Sequence, residues 1–222
     1  MNKIILVHGY NKDKNDMLKL KTNLEKYNYD VILADLPLTF EKLEYCIELF
    51  KRMINKIFDN LEDHEKLNFI GHSTGGLIIR NILAEELYKD KINKCVLIST
   101  PNKGSELADI AKNLSKTFVN IFKTVNSIST ENVKKMNLSN PYGIDIGAIA
   151  GNNNNLVMGS LLSDENDGRI KVSSVKFEGL KDFIVLPYGH KDIHYQDETA
   201  ELAVNFLKKG TFKNNKGDKN GI

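Results

Sequence analysis

Six short apolar runs punctuate the chain, and their spacing leaves few folds open. They are Ile4–Val7, Val31–Ala34, Leu67–Ile70, Cys95–Ile98, Ile144–Ala150 and Phe183–Leu186. Each is continuous rather than alternating, as strands covered on both faces are. Between them, Asp16–Tyr27, Phe40–Leu61, Gly75–Tyr88 and Asp197–Lys208 carry apolar residues three and four apart, the helical period. This alternation predicts an α/β fold with about six mostly parallel strands flanked by helices. Right-handed crossovers then gather the loops at the strand C-termini into a functional edge.

Two segments break the rhythm. Residues 101–141 form a long insertion in which Leu107, Ile110, Ala111, Leu114, Phe118, Ile121, Phe122 and Val125 share one helical face. An extra amphipathic helix, or a broken pair, fits that spacing. Residues 210–222 are rich in glycine, lysine and asparagine and are expected to be disordered. A single domain is therefore expected over residues 1–209.

The charge balance, 31 basic against 29 acidic residues, carries no nucleic-acid footprint. Only Cys46 and Cys95 are present, with no CxxC pair, so neither a disulfide framework nor a zinc ribbon is expected. The N-terminal MNKIILVHGY reads as a first strand and is too short for a signal peptide. No apolar run approaches the ~20 residues of a membrane span. A cytoplasmic location is the expectation from these features.

The segment NFIGHSTGGL sets Ser73 between glycines, after an apolar run and before a helical one. At so sharp a strand-to-helix turn the neighbours two residues either side must be small, and the hydroxyl stands above the sheet. A glycine-rich turn with a capping serine is the simpler alternative. As a nucleophile the serine needs a base, an orienting acid and an oxyanion site. His190 follows the last strand, with His194 four residues later as a competitor. Asp167 lies in DENDGRI after the fifth strand, with Asp164 as runner-up. Tyr10, after the first strand, and Thr74 can offer backbone N–H groups to an oxyanion. His8 and His72 read as packing residues around the site, and His64 as a surface residue. The HxDxH pattern of His190, Asp192 and His194 lacks a second His/Cys cluster, and no metal is expected.

Taken together, VHGY, GHSTGG, STPNKGSELAD, NDGRIKVSS and YGH resemble the small lipases and esterases of the α/β hydrolase superfamily, over most of the chain up to residue 208. The resemblance implies a minimal α/β-hydrolase fold with a lid-like insertion. It implies Ser73 as nucleophile, Asp167 as acid, His190 as base, and Tyr10 and Thr74 as oxyanion donors, with no cofactor. Threonine stands after the nucleophile where methionine or glutamine is frequent, a change that leaves the backbone N–H in place. The expected substrate is a small-molecule carboxylic ester with a lipophilic acyl group, and Leu107, Ile110, Leu114, Phe118 and Phe122 are the candidate pocket residues. A thioesterase or acyltransferase using the same triad, or a non-catalytic binding protein, are the alternatives.

Overall fold

Alternate residues of the first strand, Ile5 and Val7 against Ile4 and Leu6, enter two different hydrophobic clusters. That division is the signature of a sheet buried on both sides. In the computed structural model, which describes residues 3–213 apart from 63 and 137, six strands form one sheet. They are β1 (Lys3–Val7), β2 (Asp30–Ala34), β3 (Leu67–His72), β4 (Ile92–Ile98), β5 (Asp145–Gly151) and β6 (Asp182–Leu186). Their order is β2-β1-β3-β4-β5-β6 and every pairing is parallel. β3 and β4 are the central pair and β1 lies against β3, so the loops that follow β1 and β3 are neighbours along the sheet edge.

Helices α1 (Leu18–Glu25), α2 (Leu43–Phe58) and α3 (Thr74–Leu83) follow the first three strands. α2 buries Leu43, Cys46, Ile47, Phe50, Ile54 and Phe58, a stripe at three- and four-residue spacing. It packs with α3 on one face of the sheet. The opposite face is covered by Leu20 and Leu24 of α1 together with Ala200, Ala203, Phe206 and Leu207 of the last helix. Among the described residues no helix is long and apolar enough to cross a membrane.

The insertion departs from the single helix or broken pair expected. It contains α4 (Glu106–Leu114), α5 (Lys116–Ile121), α6 (Lys123–Ser127) and α7 (Thr130–Lys135). Ser105 caps α4 by accepting from the Ala108 amide, and the chain turns extended at Ser115 and again at Ser129. Serine competes with the helix for backbone hydrogen bonds, and a helical period in apolar residues does not register such breaks. A four-residue helix, α8 (Val172–Val175), precedes β6, and α9 (Asp197–Lys209) ends the sequence of elements.

The expected disorder does not begin at Gly210. Phe212 is buried against Phe206, ring centroids 5.0 Å apart, and its amide donates to Asp182 Oδ2 at 2.6 Å. One aromatic side chain with a ready pocket outweighs the polar composition around it. The rest of the predicted tail, 214–222, lies outside the described residues.

Candidate active site

Ser73 sits between β3 and α3 with φ 53° and ψ −126°, a backbone conformation rare for a residue with a side chain. Such a conformation costs on the order of 1–3 kcal/mol and persists only where the surroundings enforce it. The enforcement comes from crowding. A Cβ at Gly71 would stand 2.6 Å from the Gly76 nitrogen, and one at Gly75 would stand 2.4 Å from the Val7 carbonyl oxygen. Both glycines are therefore required by backbone contacts with fixed elements. The Ser73 amide is held by the Ile98 carbonyl at 2.8 Å.

Three side chains from three loops converge at this turn. His190 Nε2 lies 3.1 Å from Ser73 Oγ, and His190 Nδ1 lies 2.8 Å from Asp167 Oδ2. A carboxylate can only accept, so Nδ1 carries the proton and Nε2 offers its lone pair to the serine hydroxyl. Asp167 is fully buried, and its other oxygen, Oδ1, accepts from the amides of Arg169 and Ile170 at 3.0 and 2.7 Å. Burial pushes its carboxyl up, yet the His190 ring and the Ile170 amide outweigh this and hold it below the usual carboxylate range. The main chains are joined too, since the His190 amide donates to the Asp167 carbonyl at 2.8 Å.

The competing residues face elsewhere. Asp164 pairs with Lys171 at 2.8 Å on the surface. His194 Nε2 is bonded to Asp16 Oδ2 at 3.1 Å, and Asp192 contacts Asn155. The HxDxH residues thus point to three different partners. His8 is buried with both ring nitrogens used: Nδ1 donates to the Gly9 carbonyl and Nε2 accepts from the Leu36 amide. Burial lowers its pKa, consistent with a neutral packing role. His64 is exposed.

Behind the serine lies a polar layer absent from the sequence reading. His72 donates through Nε2 to the His190 carbonyl at 3.1 Å and stacks on His194 at 4.0 Å between centroids. Asp16 then accepts from His194, from the Tyr195 hydroxyl at 2.6 Å and from Lys12 at 2.7 Å. Burial opposes its ionisation, but these bonds hold it far below the usual carboxylate range. Asp16, His72 and His194 also place ligand-type atoms within 4.8 Å of one another. The carboxylate is already spent on two cationic or aromatic donors and a histidine, and the set fits a hydrogen-bonded scaffold better than a metal centre. No local pattern could have revealed this layer, since Asp16 and His194 are 178 residues apart.

A cavity of about 220 Å³ opens beside Ser73 and His190. Tyr10, Leu107, Ala108, Val125, Ile128 and Met158 supply much of its wall. Of the candidate pocket residues whose side chains are described, only Leu107 lines it. Ile110 does not, Leu114 is 81% exposed, and Phe122 stacks on Phe40 at 5.7 Å. The Phe118 side chain lies outside the described residues. Large residues at helical spacing were the visible signal, whereas smaller ones such as Ala108 and Ala111 leave the space. A larger cleft of about 620 Å³, bordered by Lys42, Asn81 and Lys135, contains none of Ser73, Asp167 or His190. Thr74, as the first residue of α3, has a backbone N–H with no acceptor inside the helix.

A sequence profile described as the alpha/beta hydrolase fold matches residues 2–144. No curated protein matches the sequence. Among solved structures, the mature form of Bacillus licheniformis lipase BlEst2 aligns with TM-score 0.75 and 20% identity, covering 95% of this chain and 92% of that one. The propeptide form of the same lipase aligns with TM-score 0.79 and 19% identity over 100% of this chain, which spans 52% of that longer chain. The metagenomic carboxyl esterase MGS0156 aligns with TM-score 0.71 and 12% identity, covering 94% of this chain and 76% of the esterase. At such identities these similarities speak to the fold. With the profile match covering well over half of the residues, the chain belongs to the α/β hydrolase family.

Proposed function

We propose that the protein is a serine hydrolase that cleaves carboxylic esters through an acyl-enzyme intermediate. The observation that carries this reading is the unbroken path from Ser73 Oγ through His190 to buried Asp167, at 3.1 and 2.8 Å. His190 takes the serine proton as Oγ attacks the ester carbonyl, and Asp167 stabilises the imidazolium that forms. The carbonyl oxygen, turning negative, is met by the backbone N–H groups of Tyr10 and Thr74, the proposed oxyanion hole. His190 then protonates the leaving alcohol, and water attacking the acyl-enzyme by the same route releases the acid. Side chains, amides and water suffice for each step.

The apolar wall from α4 to α6 supports a lipophilic acyl group, with the insertion acting as a lid-like cover. The cavity is smaller than the roughly 300–1,000 Å³ typical of sites for drug-sized ligands, which favours shorter acyl chains. The test is turnover of p-nitrophenyl esters of increasing acyl length by the wild type and by Ser73→Ala. Activity confined to the wild type, falling beyond medium chain length, is the expected result. Undiminished turnover by Ser73→Ala would sink the proposal, and turnover of thioesters alone would move it to that class.

A further inference from the structure

Whatever leaves Ser73 must leave on the His190 side, because His190 Nε2 delivers its proton. A crevice of only about 10 Å³ lies beside Ser73 and His190, with Lys12, Arg169 and Lys191 and no carboxylate in its lining. Lys12 is neutralised by Asp16 at 2.7 Å. Arg169 and Lys191 take part in no ion pair among the described residues. Of the acids closest to Arg169 in sequence, Asp167 is bonded to His190, Asp164 to Lys171 and Glu165 to Asn152.

Arg169 is also placed with care. Its amide donates to Asp167 Oδ1, so the turn that fixes the acid fixes the backbone of the arginine two residues on. Its side chain borders both this crevice and the apolar cavity, at the junction between the two halves of the site. Resting on the hydrolase reading above, we propose that half-buried Arg169 and exposed Lys191 form an anion subsite beside the nucleophile, outside a crevice too small for the anion itself, and that the preferred substrate is an ester whose alcohol portion carries a phosphate or carboxylate. The acyl group occupies the apolar cavity and the anion meets Arg169 and Lys191. In the acylation step the bond between acyl carbon and alcohol oxygen breaks, the acyl carbon bonds to Ser73 Oγ, and the alcohol oxygen takes the proton from His190. A guanidinium meets a carboxylate or phosphate with two parallel donors, which favours such a partner over a neutral one.

The test compares 4-butyryloxy-3-nitrobenzoate with 2-nitrophenyl butyrate, each rate divided by that ester's own alkaline hydrolysis rate. The anionic ester is expected to show about tenfold higher kcat/KM at low salt, the scale of one charge-assisted hydrogen bond. That preference should shrink in 0.5 M NaCl, where the Debye length falls to about 4 Å. It should fall severalfold in Arg169→Gln and recover in part in Arg169→Lys. Equal use of the two esters, or a preference unchanged in Arg169→Gln, would overturn the subsite. Calorimetric binding of phenyl phosphate gives a readout that needs no turnover. Binding weakened in Arg169→Gln supports the subsite even if the hydrolase reading fails, and equal binding to both proteins refutes it. Acyl glycerol phosphate supplied below or above its micelle concentration separates a soluble substrate from a lipid headgroup, and turnover of either form supports the subsite.

Discussion

His72 donates its Nε2 proton to the main-chain carbonyl of His190 at 3.1 Å, tying the residue before the nucleophile to the residue that would activate it. Burial, with His194 and His190 close by, holds His72 well below the ordinary histidine pKa, so it remains a neutral donor. His72→Phe keeps the ring and removes the donor. The expected result is a fall in kcat of about fivefold to tenfold with little change in KM, the scale of one net hydrogen bond. Steady-state kinetics on a short-chain ester would check it, and an unchanged kcat would reduce His72 to packing.

Asp167→Asn keeps the shape of the acid but offers His190 Nδ1 an amide that can hold the wrong tautomer. Turnover is expected to fall by about 10³–10⁴-fold, as for a triad acid. Asp164→Asn, which alters only a surface pair with Lys171, should stay within about threefold. The same acid gives a pH signature. Its folded pKa lies below its unfolded value, so its contribution to stability is present above about pH 4 and is lost as the pH falls through the lowered folded value. Urea titrations at several pH values should therefore show the gap between wild type and Asp167→Asn closing below about pH 4.

Arg80 fastens the insertion to α3. Its guanidinium donates to the Asn102 carbonyl, to Asn102 Oδ1 at 3.2 Å and to the Leu138 carbonyl, and lies 3.8 Å from the Phe177 ring centre. Burial brings its pKa down to about 10, which still leaves it charged at neutral pH. Arg80→Met strands these acceptors and should destabilise the fold by about 2–4 kcal/mol, read as a lower urea midpoint. A midpoint unmoved by the substitution would show that the fastening adds nothing.

Both thiols are buried, and burial pushes Cys46 up to about 11 and Cys95 higher still. Neither presents a thiolate at neutral pH. A chromogenic disulfide reagent should find almost no reactive thiol in the native protein and two per chain in guanidinium. Rapid labelling of a native thiol would contradict the burial described.

The sheet was legible because each strand carries its own signal. Every apolar run, from Ile4–Val7 to Phe183–Leu186, lies in or within one residue of a strand. The elbow was legible for a similar reason, since Gly71 and Gly75 flank Ser73 locally. His190 and His194 were harder to tell apart, because both follow β6 and their difference lies in Asp167 and Asp16, partners remote in sequence. The cavity wall was misread for a physical reason. A helical stripe of large residues marks what fills space, and a pocket is bounded by what does not, here Ala108 and Ala111. Arg80 and Arg169 gave no signal at all, as a lone arginine has no period.

The ends of the α4–α6 excursion are closed on each other, with the Ser105 amide donating to the Ile128 carbonyl at 2.9 Å. A segment that departs and returns at one bonded pair behaves as a cassette on a fixed stem. Its length and composition can vary while Ser73, Asp167 and His190 keep the positions that β3, β5 and β6 give them. Under the proposed function, the part of the acyl-binding wall that this cassette supplies can change at a different rate from the strands that hold the three proposed catalytic residues.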